Sequence, residues 1–586
     1  MDSKVGRWTG KAVLAGSGTV LVAALLAIPP AFAATAQQWQ LAAPGGAGPV
    51  ATVSLDTSGR LALMVNRGGT QVLPSSALGI RTTAADLSTG LRFGTRADVH
   101  VTEQYATAVG RRRDHTVDAN QTTLSFTKGS SRLDVVFRVS ADGLGYRYVV
   151  RQSGTVTVTG EASEFAVPAS AKAVLLPYDN GRNDYESVHV HTTVAQAAPV
   201  AYGYPSLFHV GDTWLLVTES DSGGGYGASR LTLDGTTRHF RLTLPDARET
   251  NAATLTTPWR TMVLGDLATV TESDLVTDLA SPSKVADTSW IKPGRSEWSW
   301  WSDSASSKDL TAQERAADFA AKMGWEYILV DAGWSASWMP TLVKYANARQ
   351  VGVFVWTSFS ALDTAAERNA KLPLWKSWGV AGLKIDFVQS DGQARMQWYD
   401  AILAAAAKQK LMVEFHGCTI PRGIERTWPH VVTMEAVRGA EAIHNKPTRV
   451  PFPADYYTAL PFTRNLAGSM DYTPVTFTAK RTNSDAAELA QSVVFESGLQ
   501  NFADSVASYD SRPTVERFLR QVPSVWDDTR LVSGWLADVY SDGTSGVTVH
   551  TQQVSNASTL TVAVPANGGF TAHLCPAKPG ATNCGT

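Results

Sequence analysis

The central part of this 586-residue chain alternates short apolar runs with segments of helical periodicity, and this alternation limits the folds that it can adopt. Six apolar runs have the length and composition of buried strands: 297–301, 327–333, 352–356, 380–387, 411–417 and 431–435. Helical crossovers between such strands indicate parallel βα units. Two weaker runs, 469–472 and 499–502, bring the strands to the number of a (β/α)8 TIM barrel. An open doubly wound sheet is the alternative, but the Gly-rich phosphate turn expected after its first strand is missing from the sequence.

The residues on either side of this region have the pattern of antiparallel sheets. Between about Ala34 and Asp287, short alternating runs are separated by Gly, Asp, Asn and Ser, which predicts a large β-sandwich, large enough to be a doubled one. Beyond about Pro523, period-2 runs at 546–551 and 559–564 predict a small antiparallel β domain. The predicted domains are therefore the N-terminal β-sandwich at 34–287, the barrel at 288–522 and the C-terminal β domain at 523–586.

The first 33 residues have the features of an export signal. Three basic residues precede an apolar stretch, and residues 31–33, Ala-Phe-Ala, fit the A-x-A cleavage pattern. A membrane anchor is the alternative, but the apolar stretch is short and is interrupted by glycines and a Pro-Pro pair. We therefore expect residues 1–33 to be a signal peptide and the mature protein to be secreted, without stable membrane insertion.

The chain contains three cysteines. Cys575 and Cys584 flank a short Pro/Gly-rich segment, which a disulfide could close in an oxidising compartment. Cys418 would then be unpaired and buried. No CxxC or His/Cys spacing indicates a zinc site.

Composition narrows the class of partner. The formal net charge is -2 at pH 7, so the chain has no basic excess with which to neutralise the phosphates of a nucleic acid. The ligand is therefore expected to be small or neutral. The sequence also has 18 tryptophans, half of them between residues 298 and 378. Indole faces suit the apolar faces of sugar rings, although aromatic side chains also fill cores.

The predicted barrel strands end in polar residues, which a parallel barrel would gather at its C-terminal face. These residues are Asp303, Asp331, Asp386, His416 and Glu435, with Glu441 in the loop after the sixth strand. A pair of carboxyl groups can cleave a sugar–sugar bond, because one protonates the leaving oxygen while the other attacks the anomeric carbon or activates water. No G-x-S-x-G elbow or phosphate-binding turn supports acyl or phosphoryl transfer. Each residue alone has a structural alternative: an acid can stabilise a helix N-terminus, and a histidine can be a hydrogen-bonded core residue.

Lys384 and Glu414 lie before the ends of neighbouring predicted strands. An unpaired buried charge is costly, so we expect these two side chains to pair inside the barrel.

Several motifs, in this order along the chain, resemble those of glycoside hydrolase family 97 over nearly the whole mature length. The motifs are Thr257-Pro-Trp-Arg260, Trp290-Ile-Lys-Pro-Gly294, Trp298-Ser-Trp-Trp301, Leu329-Val-Asp-Ala-Gly-Trp334, Gly382-Leu-Lys-Ile-Asp-Phe387, Phe415-His-Gly417, Met434-Glu-Ala-Val-Arg-Gly-Ala-Glu441, Pro461-Phe-Thr-Arg464 and Met470-Asp-Tyr-Thr-Pro474. The resemblance implies an N-terminal β-super-sandwich, a (β/α)8 barrel and a C-terminal β domain.

The resemblance also implies a mechanism. Inverting members of the family carry a glutamate directly after the histidine of the fifth strand and lack the aspartate of the fourth. This chain has Gly417 after His416 and Asp386 at the end of strand four, as in the retaining branch. Asp386 would be the nucleophile and Glu441 the general acid/base, with their carboxyl groups about 5 Å apart as retention requires.

Members of the family also bind calcium beside the sugar. By position, Glu435 and Glu441 match ligand positions of the barrel, and Glu219 resembles the ligand from the N-terminal domain. Carboxylate oxygens are ligands that Ca²⁺ prefers. The candidate substrate-binding residues are Trp301, Asp331, Lys384 and His416. One departure is that residues 356–359, Trp-Thr-Ser-Phe, lack the histidine expected after the strand-three tryptophan.

These features and the resemblance together predict a retaining α-glycoside hydrolase that resembles the α-galactosidases of the family, with an α-linked galactoside as substrate. Its exo-acting mode is implied by the resemblance alone. An α-glucosidase on the same scaffold, which would take an α-linked glucoside, remains open as an alternative. So does a carbohydrate-binding protein without turnover, although both Asp386 and Glu441 are present.

Overall fold

The computed structural model describes residues 35–444, 451–527, 535–544, 546–554 and 567–576, together with 562, 564, 565 and 584. The predicted signal peptide lies outside the described residues, as does most of the predicted strand at 559–564, so secretion stays a prediction. No helix in the described ranges is long and apolar enough to cross a bilayer.

Twenty strands in the first part of the described chain pair antiparallel, and two short helices, α1 (Leu267–Glu272) and α2 (Leu275–Asp278), follow them. The strands are β1 Thr35–Ala42, β2 Val50–Asp56, β3 Leu61–Arg67, β4 Thr70–Leu78, β5 Ile80–Thr82, β6 Arg92–Ala106, β7 Asp114–Lys128, β8 Ser131–Ser140, β9 Gly143–Arg151, β10 Val156–Glu161, β11 Glu164–Phe165, β12 Lys172–Pro177, β13 Val190–Thr193, β14 Ala201–Val210, β15 Thr213–Ser220, β16 Arg230–Leu233, β17 Phe240–Thr243, β18 Glu249–Asn251, β19 Thr254–Thr256 and β20 Trp259–Gly265.

These strands form one large sheet and two smaller ones. The large sheet has the order β11-β17-β16-β14-β15-β20-β9-β8-β7-β6, with β12 on β14, β13 on β12, and β19 on β9. The smaller sheets have the orders β1-β2-β3-β4 and β18-β10-β5. In β3, buried residues alternate with less buried ones, because one face of the sheet packs onto the core. This alternation is the period of 2 that the sequence shows.

The second part of the described chain forms a parallel barrel. Seven strands have the order β26-β25-β24-β23-β22-β21-β27 and all pair in parallel. They are β21 Gly294–Glu297, β22 Tyr327–Val330, β23 Gly352–Ser358, β24 Gly382–Asp386, β25 Met412–Phe415, β26 Val431–Met434 and β27 Leu499–Phe502. The helices are α3 Leu310–Met323, α4 Met339–Asn347, α5 Ala365–Trp378, α6 Gln393–Lys408, α7 Ile424–Thr427, α8 Ala454–Ala459, α9 Asp485–Val494, α10 Val506–Asp510 and α11 Pro513–Leu519, with 3-10 turns at Ser306–Lys308, Phe359–Leu362, Ala440–Ile443, Leu460–Phe462 and Arg464–Ala467.

The helix that connects the third and fourth barrel strands illustrates how local sequence sets the elements that carry the site. Helix α5 begins with a capping box, in which the Thr364 side chain accepts from the Glu367 N–H and the Glu367 carboxylate accepts from the Thr364 N–H. It ends at Gly379, whose φ of 94° suits glycine. The chain then enters β24, whose residues are buried up to Ile385, and the strand ends at Asp386.

Two strand predictions are corrected. The first barrel strand ends at Glu297, because the chain turns at Ser299, whose carbonyl accepts from the Asp303 N–H. The run at 469–472 makes only one parallel bridge, between Met470 and Met434, in the described chain. It does not extend into a strand because Thr473 takes a positive φ of 55°.

The last three strands, β28 Trp535–Gly543, β29 Gly546–Val554 and β30 Phe570–Pro576, form an antiparallel sheet of order β29-β28-β30. Cys575 is paired with Cys584 in a disulfide, and Cys418 is free and buried, as the sequence predicts. The predicted fold class, a β-sandwich followed by a TIM-like barrel and a small β sheet, is confirmed.

Glu297, at the end of β21, is only 1% exposed, and burial raises its pKa to about 8. Its Oε2 atom has no hydrogen-bond partner among the described residues. Between about pH 4.5 and pH 8 the unfolded state therefore ionises this group while the folded state keeps it protonated, so the free energy of unfolding falls as the pH rises through that window.

We expect Glu297→Gln, which stays neutral, to gain stability relative to wild type between pH 5 and pH 8, by an amount on the order of 4 kcal/mol. Urea denaturation at several pH values measures this difference. Glu272→Gln, at an exposed position of α1, is the control and should not change the slope. Equal slopes for wild type and Glu297→Gln would contradict the prediction.

Candidate active site

Acidic and basic side chains from successive strand ends meet at the C-terminal mouth of the barrel. Asp331 follows β22, Asp386 ends β24, His416 follows β25 and Glu435 follows β26. Glu441 lies in the 3-10 turn Ala440–Ile443. The structure therefore brings together the predicted catalytic pair and most of the predicted ligand and substrate residues, as the parallel barrel requires.

The carboxylate of Asp386 is oriented by two donors. The indole Nε1 of Trp356 on β23 lies 3.1 Å from Oδ2, and the backbone N–H of Phe387 lies 2.6 Å from Oδ1. Gly417 lies against this turn with a φ of 48°. A Cβ at residue 417 would be 3.3 Å from the Phe387 backbone and 3.5 Å from Asp386 Oδ1. A side chain at 417 would thus press on the Phe387 backbone and would have to adopt a positive φ, which gives a steric reason for finding glycine there.

The partner of Lys384 differs from the prediction. Its ammonium group donates to Asp331 Oδ2 at 3.0 Å and lies 4.2 Å from the ring centroid of Trp298, whose Nε1 donates to the same oxygen at 2.8 Å. Glu414 is opposite Lys384 in strand register, but its carboxylate hydrogen-bonds elsewhere. The long lysine side chain reaches past β23 to the end of β22, so the predicted ion pair with Glu414 is wrong.

His416 is surrounded by carboxylates. Its Nε2 lies 2.7 Å from Asp471 and 3.1 Å from Glu414, and its Nδ1 lies 3.4 Å from Glu435 and 3.6 Å from Glu441. Burial alone would lower its pKa, but the neighbouring carboxylates outweigh burial and hold the pKa well above the usual value. His416 is therefore an imidazolium that links the carboxylates of the site.

The acids at the mouth raise one another's pKa values. Burial is the largest cause for Glu435, whose pKa is raised well above the usual value, and the charges of Glu186, Glu441 and Asp386 add to it. Burial also raises the pKa of Glu441, with further contributions from nearby aspartates, although Lys384 opposes the shift. A cation placed among these acids would relieve their repulsion.

Glu186 is an acid of this site that the sequence did not reveal. It lies in the segment between β12 and β13 of the N-terminal sheets. Burial raises its pKa, the charges of Asp184 and Glu441 raise it further, and those of Arg182 and His416 lower it. Arg438, between Glu435 and Glu441 in the sequence, contacts the Glu186 carbonyl at 3.4 Å, so this segment lies beside the acidic loop. The only sequence signal is a cluster of charged residues at 182–186, which resembles an ordinary polar loop.

Glu219, the predicted ligand from the N-terminal domain, is not brought to this group. Its carboxylate accepts from Arg260 and from Ser229 Oγ at 2.6 Å, and it forms an ion pair with Arg422, whose Nε lies 2.9 Å from Oε2. A fully buried carboxylate with two guanidinium partners has its lone pairs engaged. In the described residues, two clusters could hold a metal ion, His416 with Glu435 and Glu441, and Glu414 with His416 and Asp471; neither includes Glu219.

Two further residues support the loop that carries the acids. Trp301, a predicted substrate contact, is 2% exposed, and its Nε1 donates to the carbonyl of Ala440 at 2.9 Å, directly before Glu441. Arg464 donates to the backbone carbonyls of Met434 and Glu435 at 2.8 and 3.1 Å. These contacts fix the backbone on both sides of the acidic loop.

Comparison with known proteins places this arrangement in a family. Residues 41–282 match the domain family described as "Glycosyl-hydrolase 97 N-terminal", and residues 290–437 match "Glycoside hydrolase 97". The chain is 42% identical to a probable retaining alpha-galactosidase of Streptomyces bingchenggensis (strain BCW-1), over 96% of this chain and 97% of that protein. It is 26% identical to a retaining alpha-galactosidase of Bacteroides thetaiotaomicron, over 72% of each chain.

Solved structures share the fold. A beta-arabinopyranosidase has a TM-score of 0.82 and 24% identity, over 92% of this chain and 98% of that one. A glycoside hydrolase family 97 enzyme from Pseudoalteromonas sp. strain K8, in complex with acarbose, has a TM-score of 0.83 and 22% identity, over 91% and 99%. The barrel with its ring of carboxylates is that of a glycoside hydrolase. The chain belongs to glycoside hydrolase family 97.

The buried Lys384–Asp331 pair gives a prediction about stability. Both residues are nearly inaccessible to solvent, so Lys384→Met would leave Asp331 buried with an indole N–H but no cation. We expect the variant to lose about 3–5 kcal/mol of unfolding free energy.

The double variant Asp331→Asn/Lys384→Met should recover much of this loss, because the uncompensated charge is then removed. Urea denaturation of the wild type, Lys384→Met, Asp331→Asn and the double variant measures the coupling energy between the two residues. Strictly additive losses would contradict a paired role for the two residues.

Proposed function

We propose that this chain is a retaining, exo-acting α-galactosidase. The retaining assignment rests on Asp386 at the end of β24, held by Trp356 and facing Gly417. The galactose specificity rests on the near full-length similarity to a protein named as a probable retaining alpha-galactosidase. An α-glucosidase on the same scaffold is the alternative outcome of the experiments below.

In the proposed mechanism, the Asp386 carboxylate attacks the anomeric carbon while Glu441 gives its proton to the departing glycosidic oxygen. The C–O bond to the leaving group breaks, and an ester between the sugar and Asp386 forms. Water then gives a proton to Glu441 and attacks the same carbon, and the ester bond breaks. Two inversions return the sugar in its original anomeric configuration.

The environment of the two acids suits these roles. Burial raises the pKa of Glu441, which favours the protonated form that the first step needs. Asp386 accepts hydrogen bonds from the indole of Trp356 and the backbone of Phe387, which orient its carboxylate. The buried Lys384 ammonium, held by Asp331, adds a positive charge that interacts with both acids.

We further propose a calcium ion at this mouth, held by Glu435 and Glu441 with Glu186 from the N-terminal sheets. Glu441 Oε2 has no hydrogen-bond partner among the described residues, and the acids around it raise one another's pKa values. Carboxylate oxygens in this number fit a hard divalent cation. Bound calcium would supply the positive charge that offsets this repulsion and would orient a sugar hydroxyl.

We expect Asp386→Asn to lower kcat/KM for 4-nitrophenyl α-galactoside by about 10³-fold or more, because the nucleophile is lost. Asp386→Gly with added azide should release the β-galactosyl azide, since azide attacks from the face that the aspartate used. Proton NMR of the first product of the wild type should give α-galactose. Initial release of β-galactose would refute the retaining mechanism, and faster hydrolysis of the α-glucoside would refute the specificity.

The proposed ion gives a second test. A chelator should lower the activity, and Ca²⁺ should restore it better than Mg²⁺, which requires stricter octahedral geometry. Glu435→Gln should weaken calcium binding, measured by titration calorimetry on the chelator-treated protein. Glu272→Gln is the control with an exposed acid removed. Full activity after exhaustive chelation, with no calorimetric signal on adding Ca²⁺, would contradict the proposal.

A further inference from the structure

One tyrosine of the N-terminal sheets is fixed by two loops of the barrel. The hydroxyl of Tyr185 donates to Asp391 Oδ2 at 2.8 Å and accepts from Arg422 Nη2 at 2.9 Å. Asp391 lies in the loop after β24, the strand that ends at Asp386, and Arg422 lies in the loop after β25, which precedes His416. Tyr185 is 1% exposed, so these bonds are shielded from water.

A second buried contact orients the guanidinium that meets Tyr185. Arg422 Nε lies 2.9 Å from Glu219 Oε2, and Glu219 in turn pairs with Arg260 of β20. Both arginines and Glu219 are almost completely buried. Because charge-assisted hydrogen bonds in such surroundings have little freedom, the hydroxyl of Tyr185 has one well-defined position relative to the barrel.

The residue after this tyrosine is Glu186. Arg438, which lies between Glu435 and Glu441 in the sequence, contacts the Glu186 carbonyl at 3.4 Å, so this segment lies beside the acidic loop. Two other contacts of Glu186 stay within its own segment: the half-exposed Arg182 guanidinium lies 3.2 Å from its carboxylate, and its N–H donates to Asp184 Oδ1 at 3.2 Å. The hydrogen bonds of the adjacent Tyr185 to the barrel are buried, and they restrain the segment from its other side.

We propose that Tyr185, oriented by Arg422 and Glu219, is a positioning residue that fixes Glu186 beside the general acid/base Glu441. The proposal rests on the proposed function, because it assigns Glu186 a part in that site. It gives the N-terminal sheets a direct part in the chemistry of the barrel. It also gives Glu219 a role, because Glu219 orients the Arg422 guanidinium that binds the Tyr185 hydroxyl.

The matched control is Tyr178, whose hydroxyl also donates to Asp391 Oδ2, at 3.0 Å. Tyr178→Phe removes a hydrogen bond to the same carboxylate without removing the bond to Arg422. If Tyr185 only joined the two domains, Tyr185→Phe and Tyr178→Phe would have similar effects on both stability and activity.

The test is a double-mutant cycle of Tyr185→Phe and Glu186→Gln, with kcat/KM for the aryl α-galactoside and the affinity for Tb³⁺, a luminescent calcium substitute, as readouts. We expect Tyr185→Phe to lower both by about tenfold, the equivalent of one charge-assisted hydrogen bond. In the Glu186→Gln background it should have no further effect, because the residue that it positions is already lost. Tyr178→Phe should leave both readouts within about twofold of wild type.

Additive effects of Tyr185→Phe and Glu186→Gln, or equal effects of Tyr185→Phe and Tyr178→Phe, would overturn the positioning role. Thermal unfolding of each variant separates a loss of folding from a loss of positioning. If the wild type hydrolyses only the α-glucoside, the proposed galactose specificity is wrong, and kcat/KM in the same cycle is then measured with the α-glucoside. If the wild type hydrolyses neither, the proposed function fails and Tb³⁺ binding alone decides the positioning role.

Discussion

The structure depends on how the barrel mouth tolerates many acids in a small buried space. Two buried cations make this possible, since Lys384 pairs with Asp331 and His416 lies between four carboxylates. Removing water from charges is costly unless each finds a partner of opposite sign. The remaining repulsion keeps the pKa values of Glu435 and Glu441 raised. The same feature provides a proton donor and a place for a cation.

The N-terminal sheets are part of this arrangement. Arg260 and Glu219 on these strands form a buried ion pair, and Glu219 also pairs with Arg422 of the barrel. Arg422 in turn donates to the hydroxyl of Tyr185, the residue before Glu186. The large sheet is therefore more than a support for the barrel, because one of its connections, which carries Glu186, lies beside the acidic loop. A family in which both domains match over most of the chain is consistent with this dependence.

Much of the fold could be predicted because its signals are local. Strand β24 is a buried run that ends in an acid, and α5 before it has a capping box and a terminal glycine. The run at 469–472 misled the prediction, because its apolar residues resemble a strand while Thr473 and Val475 take positive φ values. Its first residues are held by a tertiary contact, since the Arg464 guanidinium donates to the carbonyls of Gly468 and Ser469.

The sequence by itself determined the order of sheets and barrel and the placement of Asp386, His416 and Glu435 at strand ends, because both follow from periodicity along the chain. Tertiary structure alone decided which charges pair. Lys384 reaches across a strand to Asp331 instead of its register neighbour, and the segment of Glu186 lies beside the acidic loop, whereas Glu219 pairs with Arg422. Such contacts depend on barrel curvature, side-chain reach and domain packing, and no local pattern of residues encodes those distances.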